Sequence, residues 1–340
     1  MGAMSDRVEQ AKSHTSSGSW TFGLNWLKSN LFVIIFWGIL GIAPLLVKDP
    51  YLRHLLVVGL LFGAHAMVSD ITIGMMNISN FGYAGFIGLG AYTSALLVMH
   101  TGVSPFIGLF AALIVSSILG FITGILTLRL RGLFVAIMAW FVALALQALA
   151  AVLVDITRGY LGLFVSPLLS TRSILTQFYI LFAIVLTIYL VIRWVVNSRI
   201  GLAIRAIGQN QDYARASGVD YVRYRLIAFT LSCGFAGLLG AYYGHFVGIL
   251  TPDVMGTNQT VEVIALNIIG GRGSIWGPLL VGLLSIPTFE FLKSLMEIRL
   301  IIYGSLLLLV IILYPAGLAG LIKSIYTKVT TVIGRRNSTF

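Results

Sequence analysis

The chain alternates between long, continuous apolar stretches and short polar breaks. Apolar runs occupy 31–47, 55–76, 83–99, 103–127, 133–154, 174–196, 226–250, 276–292 and 298–314, with a shorter one at 261–270. A helix needs about 20 apolar residues to cross the hydrocarbon core of a bilayer. The pattern therefore predicts an all-α polytopic transmembrane helix bundle of about 8–10 membrane elements, most of them long enough to cross. The runs are continuous rather than alternating, which excludes a β-barrel.

Two stretches depart from plain spanning helices. Residues 70–92 read DITIGMMNISNFGYAGFIGLGAY and 261–282 read VEVIALNIIGGRGSIWGPLLVG. Both place Asn and clustered Gly inside an apolar run and then resume small residues at helical spacing. Irregular backbone at membrane depth is tolerated only where protein buries it or a cavity adjoins it. Paired broken helices point to a transport site. Segment 261–292 is expected to dip into the membrane and return.

Composition narrows the class. Hydrophobic residues make up 58% of the 340 and charged residues 10%, against roughly 25% charged in soluble domains. A soluble enzyme, a disordered chain and a nucleic-acid-binding protein are excluded on that ground. The net charge of +11 is read from its distribution. Sixteen Lys and Arg lie on one side of the expected membrane: Arg7, Lys12, Lys28, Arg129, Arg131, Arg193, Arg199, Arg205, Arg215, Arg223, Arg225, Arg272, Lys323, Lys328, Arg335 and Arg336. Six lie on the other: Lys48, Arg53, Arg158, Arg172, Lys293 and Arg299. The excess of positive charge on cytoplasmic loops puts both termini and the 197–225 loop in the cytoplasm. The expected organisation is a cytoplasmic N-terminal segment (1–30), a transmembrane domain (31–314) and a cytoplasmic tail (315–340).

Catalytic and cofactor signatures are lacking. The lone cysteine, Cys233, allows no disulfide framework. The histidines are scattered without metal-pair spacing. The chain carries no phosphate-binding G-x-x-x-x-G-K-[ST] loop, G-x-S-x-G or H-E-x-x-H. No metal site and no bound cofactor are expected, and ATP-driven transport would need ATPases on other chains.

Residues 197–225, NSRIGLAIRAIGQNQDYARASGVDYVRYR, are the most informative polar stretch. Ile200, Leu202, Ile204 and Ile207 form an apolar face. Asn210 is placed as the N-cap of a short helix with Asp212 in its first turn, and Gly218 is placed to end it. Charge alone favours an ordinary positive-inside loop with a solvated helix.

Residues 212–218, DYARASG, resemble the E-A-A-x-x-x-G coupling loop of ABC importer permeases. The strings NFGYAGFIGLGAYT (80–93), RLIAFTLSCGFAGLLGAYYGH (225–245), NIIGGRGSIWGP (267–278) and YPAGLAGL (314–321) resemble the LivM-type branch of the branched-chain amino acid importer permeases, and TRGYLGL (157–163) is a weaker likeness. They occur in family order from about residue 55 to 321. The chain departs from the family pattern at Tyr83, where His is frequent, and at Asp212 and Tyr213, where Glu and Ala are. Arg158 and Tyr160 also stand where Gly and polar residues are common.

The resemblance implies a non-catalytic permease subunit for branched-chain or related hydrophobic amino acids in a prokaryotic inner membrane. It implies a homologous LivH-like permease, two cytoplasmic ATPases that bind ATP and Mg, and an extracytoplasmic substrate-binding protein as partners, together with membrane lipid. Arg205, Asp212, Ala214 and Gly218 are the expected contacts to the ATPases. Asn77, Ser79, Asn80, Gly82, Tyr83, Asn267, Gly270, Gly271 and Gly273 are the expected substrate pathway.

Several alternatives stay open on sequence. Urea, short amides or another small solute fits the same architecture. An ion-coupled secondary transporter needs mid-membrane carboxylates, for which Asp70 is the candidate. An intramembrane enzyme needs converging His, Asp or Ser. Asp70 is expected to face the bundle, Glu262 to sit at the outer interface, Arg272 to anchor at the cytoplasmic face, and His65 and His245 to be satisfied within the bundle.

Overall fold

A computed structural model describes residues 33, 35–169, 173–291, 305, 308, 312 and 317–320. The expected segments 1–30 and 298–314 and the 315–340 tail lie wholly or almost wholly outside the described residues. Residues 1–48 and 49–340 form two separate units. In the first, helix α1 spans Ile35–Leu46. Everything below concerns the second.

Its first half holds α2 (Pro50–Asp70), α3 (Tyr83–Thr101), α4 (Pro105–Leu126), α5 (Leu133–Val152) and the short α6 (Val154–Thr157). After a two-residue strand β1 (Leu163–Phe164) come α7 (Ile174–Asn197), α8 (Arg199–Gln209), α9 (Gln211–Ala216) and α10 (Tyr221–Val247). Strand β2 (Ile249–Leu250) pairs antiparallel with β1. Then follow α11 (Thr257–Gly270) and α12 (Trp276–Phe291).

Six helices among the described residues are long and apolar enough to cross a membrane: α2 with its extension to Met75, α3, α4, α5, α7 and α10. Two shorter apolar helices cover Ile35–Leu46 and Trp276–Thr288. Six spans and two shorter apolar helices agree with the expected polytopic helical bundle. Helix α11 has 14 residues, about 21 Å at 1.5 Å per residue, short of the roughly 30 Å hydrocarbon core. Its start at Thr257 is earlier than the expected 261, because the helix opens in a polar turn that hydrophobicity alone does not register.

Helices α2 and α10 are the most buried of the spans and form the axis of the bundle. Close approach is made possible by small residues, as in other membrane helix contacts. Gly90 of α3 sits so near Gly237 of α10 that a Cβ would overlap its backbone. Gly63 of α2 meets the Leu279 carbonyl of α12, where a Cβ would come to 2.6 Å. Gly59 faces Gly282 while Gly63 faces Leu279, so α12 runs antiparallel to α2. The outer helices α4 and α5 expose Phe110, Ile114, Ile118, Phe134 and Phe141. Leaving such side chains in water forfeits about 1.5–3 kcal/mol each, so this belt belongs in lipid.

Some polar groups inside the bundle are tied. The Ser166 carbonyl accepts from His245 Nδ1 at 2.6 Å, which leaves Nε2 to accept from the Ser94 hydroxyl at 2.7 Å in the neutral ring. His65 differs from expectation: it is buried, and neither ring nitrogen finds a partner among the described residues. Arg225, counted with the cytoplasmic loop charges, is buried. Its guanidinium donates to the Thr127 carbonyl at 2.7 Å and to the Tyr221 hydroxyl. The long, weakly hydrated side chain lets it reach from α10 to the end of α4, where it shares the Thr127 carbonyl with the Leu130 amide.

Candidate functional site

The site is built where the two broken stretches meet. Helix α2 does not stop at Asp70 but loosens into a π-helical turn, Ile71–Met75. Such turns interrupt α-helices mostly at functional positions. Asn77 follows with φ of +54°, a left-handed conformation that Asn tolerates better than most residues. The Ile78 amide then donates back to the Thr72 carbonyl at 2.9 Å. The chain has turned out of its helix with its backbone bonds re-satisfied, as membrane depth demands.

The partner break follows α11. The Gly271 amide donates to the Asn267 carbonyl at 3.1 Å, and Gly271 and Gly273 take φ of +103° and +77°, which glycine alone adopts freely. Segment 317–320 closes over this turn, with Gly317 against Gly271.

Asp70 joins the two breaks. Its Oδ1 accepts from the Gly273 amide at 2.9 Å and from Asn267 Nδ2 at 3.2 Å. The same Asn267 amide also donates to the Ala66 carbonyl at 3.0 Å. Asp70 and Asn267 are both fully buried. Burying an unpaired carboxylate is costly, and amide donors offset that cost here. Gly74 makes the geometry possible, since a Cβ there would overlap both Asp70 Oδ1 and the Gly273 amide.

Asn80 and Gly82 start α3. Asn80 Oδ1 accepts from the Gly82 amide at 3.1 Å, and the Ala84 amide donates to Thr260 Oγ1 of α11 at 3.0 Å. The first turn of α3 therefore borrows its cap from α11. Tyr83 is fully buried with its ring edge-on to His65, centroids 6.1 Å apart. Ser79 is half-buried. Gly270 packs against Gly277 and Pro278 at the start of α12.

Of the residues expected on a substrate pathway, Asn267 and Gly273 thus converge on Asp70, with Gly271 in the turn between them. Asn80, Gly82 and Tyr83 lie at the head of α3, and Asn77 is exposed on a different cleft. Beside the head of α3 lies a cavity of about 400 Å³, lined by Phe81, Trp140, Thr257, Thr260, Val261, Ile264, Ala265 and Ile268. Trp140 Nε1 donates to Thr257 Oγ1 at 3.0 Å, and Thr260 Oγ1 is taken by Ala84, so the wall is apolar. These lining residues were not singled out from the sequence. The stripe Thr257, Thr260, Val261, Ile264 and Ile268 has helical spacing and was visible as a face, but its facing partners were not.

Segment 198–220 sits at the same end of the bundle as the Asn77 turn. Asn210 caps α9, its Oδ1 accepting from the amides of Asp212 at 3.0 Å and Tyr213 at 3.1 Å. Gly218 follows with φ of +82°, where no neighbour crowds it. Asp212 is paired with Arg131 at 3.6 Å, both side chains mostly exposed. Ala214 is buried, whereas Tyr213 is exposed. Arg205 donates to the carbonyls of Val196 at 3.0 Å and Gly201 at 3.3 Å, which ties α8 to the end of α7. Ile204 and Ile207 face inward, but Leu202 is exposed, because a two-residue step turns about 200° around a helix. A cleft of about 200 Å³ separates α8 and α9 from the 130–132 loop and residues 76–78.

Comparison with known proteins agrees with this architecture. The model of the family described as branched-chain amino acid transport system / permease component matches residues 51–313. The chain is 27% identical over 280 residues to the high-affinity branched-chain amino acid transport system permease protein LivM of Salmonella typhimurium, covering 73% of this chain and 65% of that protein. It is 22% identical over 314 residues to the probable LivM permease of Methanocaldococcus jannaschii, covering 76% of this chain and 90% of that protein. A LivH permease of Salmonella typhimurium is 29% identical over 126 residues, 36% of this chain and 40% of that protein. The chain thus spans about two thirds, 65%, of the length of the first LivM relative. No solved structure matches it. A match across most of the chain, on a bundle with two paired breaks, establishes the family: the chain belongs to the permease components of branched-chain amino acid transport systems.

Proposed function

We propose that this chain is the LivM-like permease subunit of an ATP-driven importer for branched-chain or related hydrophobic amino acids. It pairs with a LivH-like permease and forms the translocation pathway at their contact. Two cytoplasmic ATPases bind ATP and Mg and supply the hydrolysis. An extracytoplasmic binding protein delivers the solute, and this subunit itself catalyses no reaction. The membrane is the inner membrane of a prokaryote, with 198–220 and both termini on the cytoplasmic side.

The observation that carries this reading is the placement of segment 198–220 at the end of the bundle where α2 breaks. A motor that pushes there acts on the discontinuous backbone that would gate a solute. ATP biases the cycle only if the segment interacts differently with the two ATPase states. The apolar wall of the cavity beside Phe81 favours a solute with an aliphatic side chain over urea or short amides, whose polar atoms would go unpaired there.

The test is uptake by proteoliposomes. The chain, co-expressed with its partner permease and ATPases, is expected to co-purify with them and, given the binding protein, to accumulate labelled leucine only when ATP is supplied. Uptake by the chain alone, or accumulation driven by an ion gradient without ATP, overturns the reading. Competition by urea as strong as competition by isoleucine overturns the choice of solute.

A further inference from the structure

The contact between segment 198–220 and the broken end of α2 is unusually close. Gly208, near the end of α8, lies directly against the carbonyl of Met75, the last residue of the π turn. A Cβ at 208 would overlap that oxygen and come to 3.0 Å from the Met76 carbonyl carbon. Ile207 beside it is buried. The next residues on each side, Met76 and Asn77 against Gln209 and Asn210, wall the same cleft.

Both sides of this contact are stiff. Helix α8 is held at one end by Arg205 on the Val196 carbonyl, and at the other it passes straight into the Asn210 cap of α9. The Met75 side passes through the left-handed Asn77 turn on one flank and into the Asp70 junction on the other. Packed protein deforms little. A push on α9 therefore reaches the π turn through backbone already in contact, with no side-chain slack between.

Resting on the importer reading above, we propose that Gly208 is a positioning residue that seats the coupling segment on the broken end of α2, so that 199–216 and 75–78 travel as one body through the ATPase cycle. Only a residue without a Cβ allows this seating. A side chain at 208 wedges the two apart, and ATP hydrolysis then continues without moving the break.

The experiment uses the full complex with its partner permease and ATPases in proteoliposomes, supplied with the extracytoplasmic binding protein. Gly208→Ala and Gly208→Val are compared with the parent for ATPase retention on purification, ATP hydrolysis and leucine taken up per ATP hydrolysed. In a second arm, Gln209→Cys with Ile78→Cys, across the same cleft, is bridged by a short bis-maleimide, with a mono-maleimide control. Cys233 is buried and gives little background.

The expected result is a fall of roughly tenfold in leucine per ATP for Gly208→Val, the scale of an ordinary coupling energy, and a smaller fall for Gly208→Ala. Both keep their ATPases and their hydrolysis. The bridged complex is expected to transport as the mono-maleimide control does, since the joined parts already move together. Normal coupling in Gly208→Val, or uptake arrested by the bridge alone, overturns the proposal. A loss of uptake in proportion to a loss of ATPase binding in the Ala variant also overturns it, because that is what a purely structural role gives. Absence of ATP-dependent uptake in the parent complex instead sinks the importer reading, and the two failures are told apart by that control.

Discussion

The two regions that carry the functional argument are stabilised in opposite ways. The junction of the breaks is tied across long sequence distances: Asp70 to Asn267 and Gly273, and Ala84 to Thr260. The coupling segment's hydrogen bonds are local: Asn210 to the amides two and three residues ahead, Arg205 to carbonyls four and nine residues back. The first region sits where no water can replace a lost bond, and the second lies in reach of water. The same chemical change should therefore cost much at the junction and little at the segment.

The sharpest way to break this contrast is at Asp70. Asp70→Leu leaves the Gly273 amide without its acceptor, while Asn267 Nδ2 keeps the Ala66 carbonyl. An orphaned buried donor costs about 1–3 kcal/mol. The expected outcome is a large drop in the thermal midpoint of the detergent-solubilised protein and loss of uptake. Asp70→Asn keeps an acceptor oxygen at the same place and should retain most of the midpoint. Equal losses in the two variants would show that the charge, and not the hydrogen bonds, holds the junction.

Thr260→Val comes next. It is nearly isosteric and removes only the acceptor that caps the Ala84 amide. Loss of a helix cap costs about 0.5–2 kcal/mol. A measurable fall in the thermal midpoint is expected, with faster amide exchange confined to the first turn of α3. Unchanged exchange at Ala84 would mean the turn draws its cap from elsewhere.

Much of this was readable from the residues, and the limits have physical causes. The positions of both breaks follow from Asn and Gly inside apolar runs, since those residues are placed there by backbone need. The Asn210 cap and the Gly218 stop of α9 are local and were legible for the same reason. The Asp70 tie was not, because nothing in periodicity says which distant amide a carboxylate will meet. Arg225 was misplaced in the water-facing loop because charge counting cannot distinguish an arginine that caps a carbonyl inside the bundle. The cavity wall escaped for a third reason: Phe81, Trp140 and Thr257 come from three elements whose mutual faces only packing decides.

At the coupling segment the effects should shrink. Asn210→Ala removes the cap of α9, a change of about 1 kcal/mol for an exposed helix end. A six-residue helix has little intrinsic stability to spare, since short helices are marginal without tertiary support. The thermal midpoint of the whole bundle should stay put. Leucine moved per ATP should fall, because the segment delivers its push through a frayed turn. A shifted midpoint would place this segment in the same cooperative unit as the junction and blur the distinction between them.

The smallest effect should come from Arg131→Ala. Its pairing with Asp212 at 3.6 Å joins two side chains that are 67% and 72% exposed. Exposed pairs are worth about 0–1 kcal/mol and are screened by salt. Neither unfolding nor coupling in the isolated permease should change beyond error. The pair gains weight only if a partner surface covers it, because desolvation strengthens the attraction. Docking of the ATPases should therefore weaken in Arg131→Ala, and the defect should be greatest at low ionic strength and fade as salt rises. A docking defect that persists unchanged at high salt would instead assign Arg131 a direct contact with the ATPase. A stability loss in the permease alone would show that the coupling segment leans on this pair more than its exposure implies.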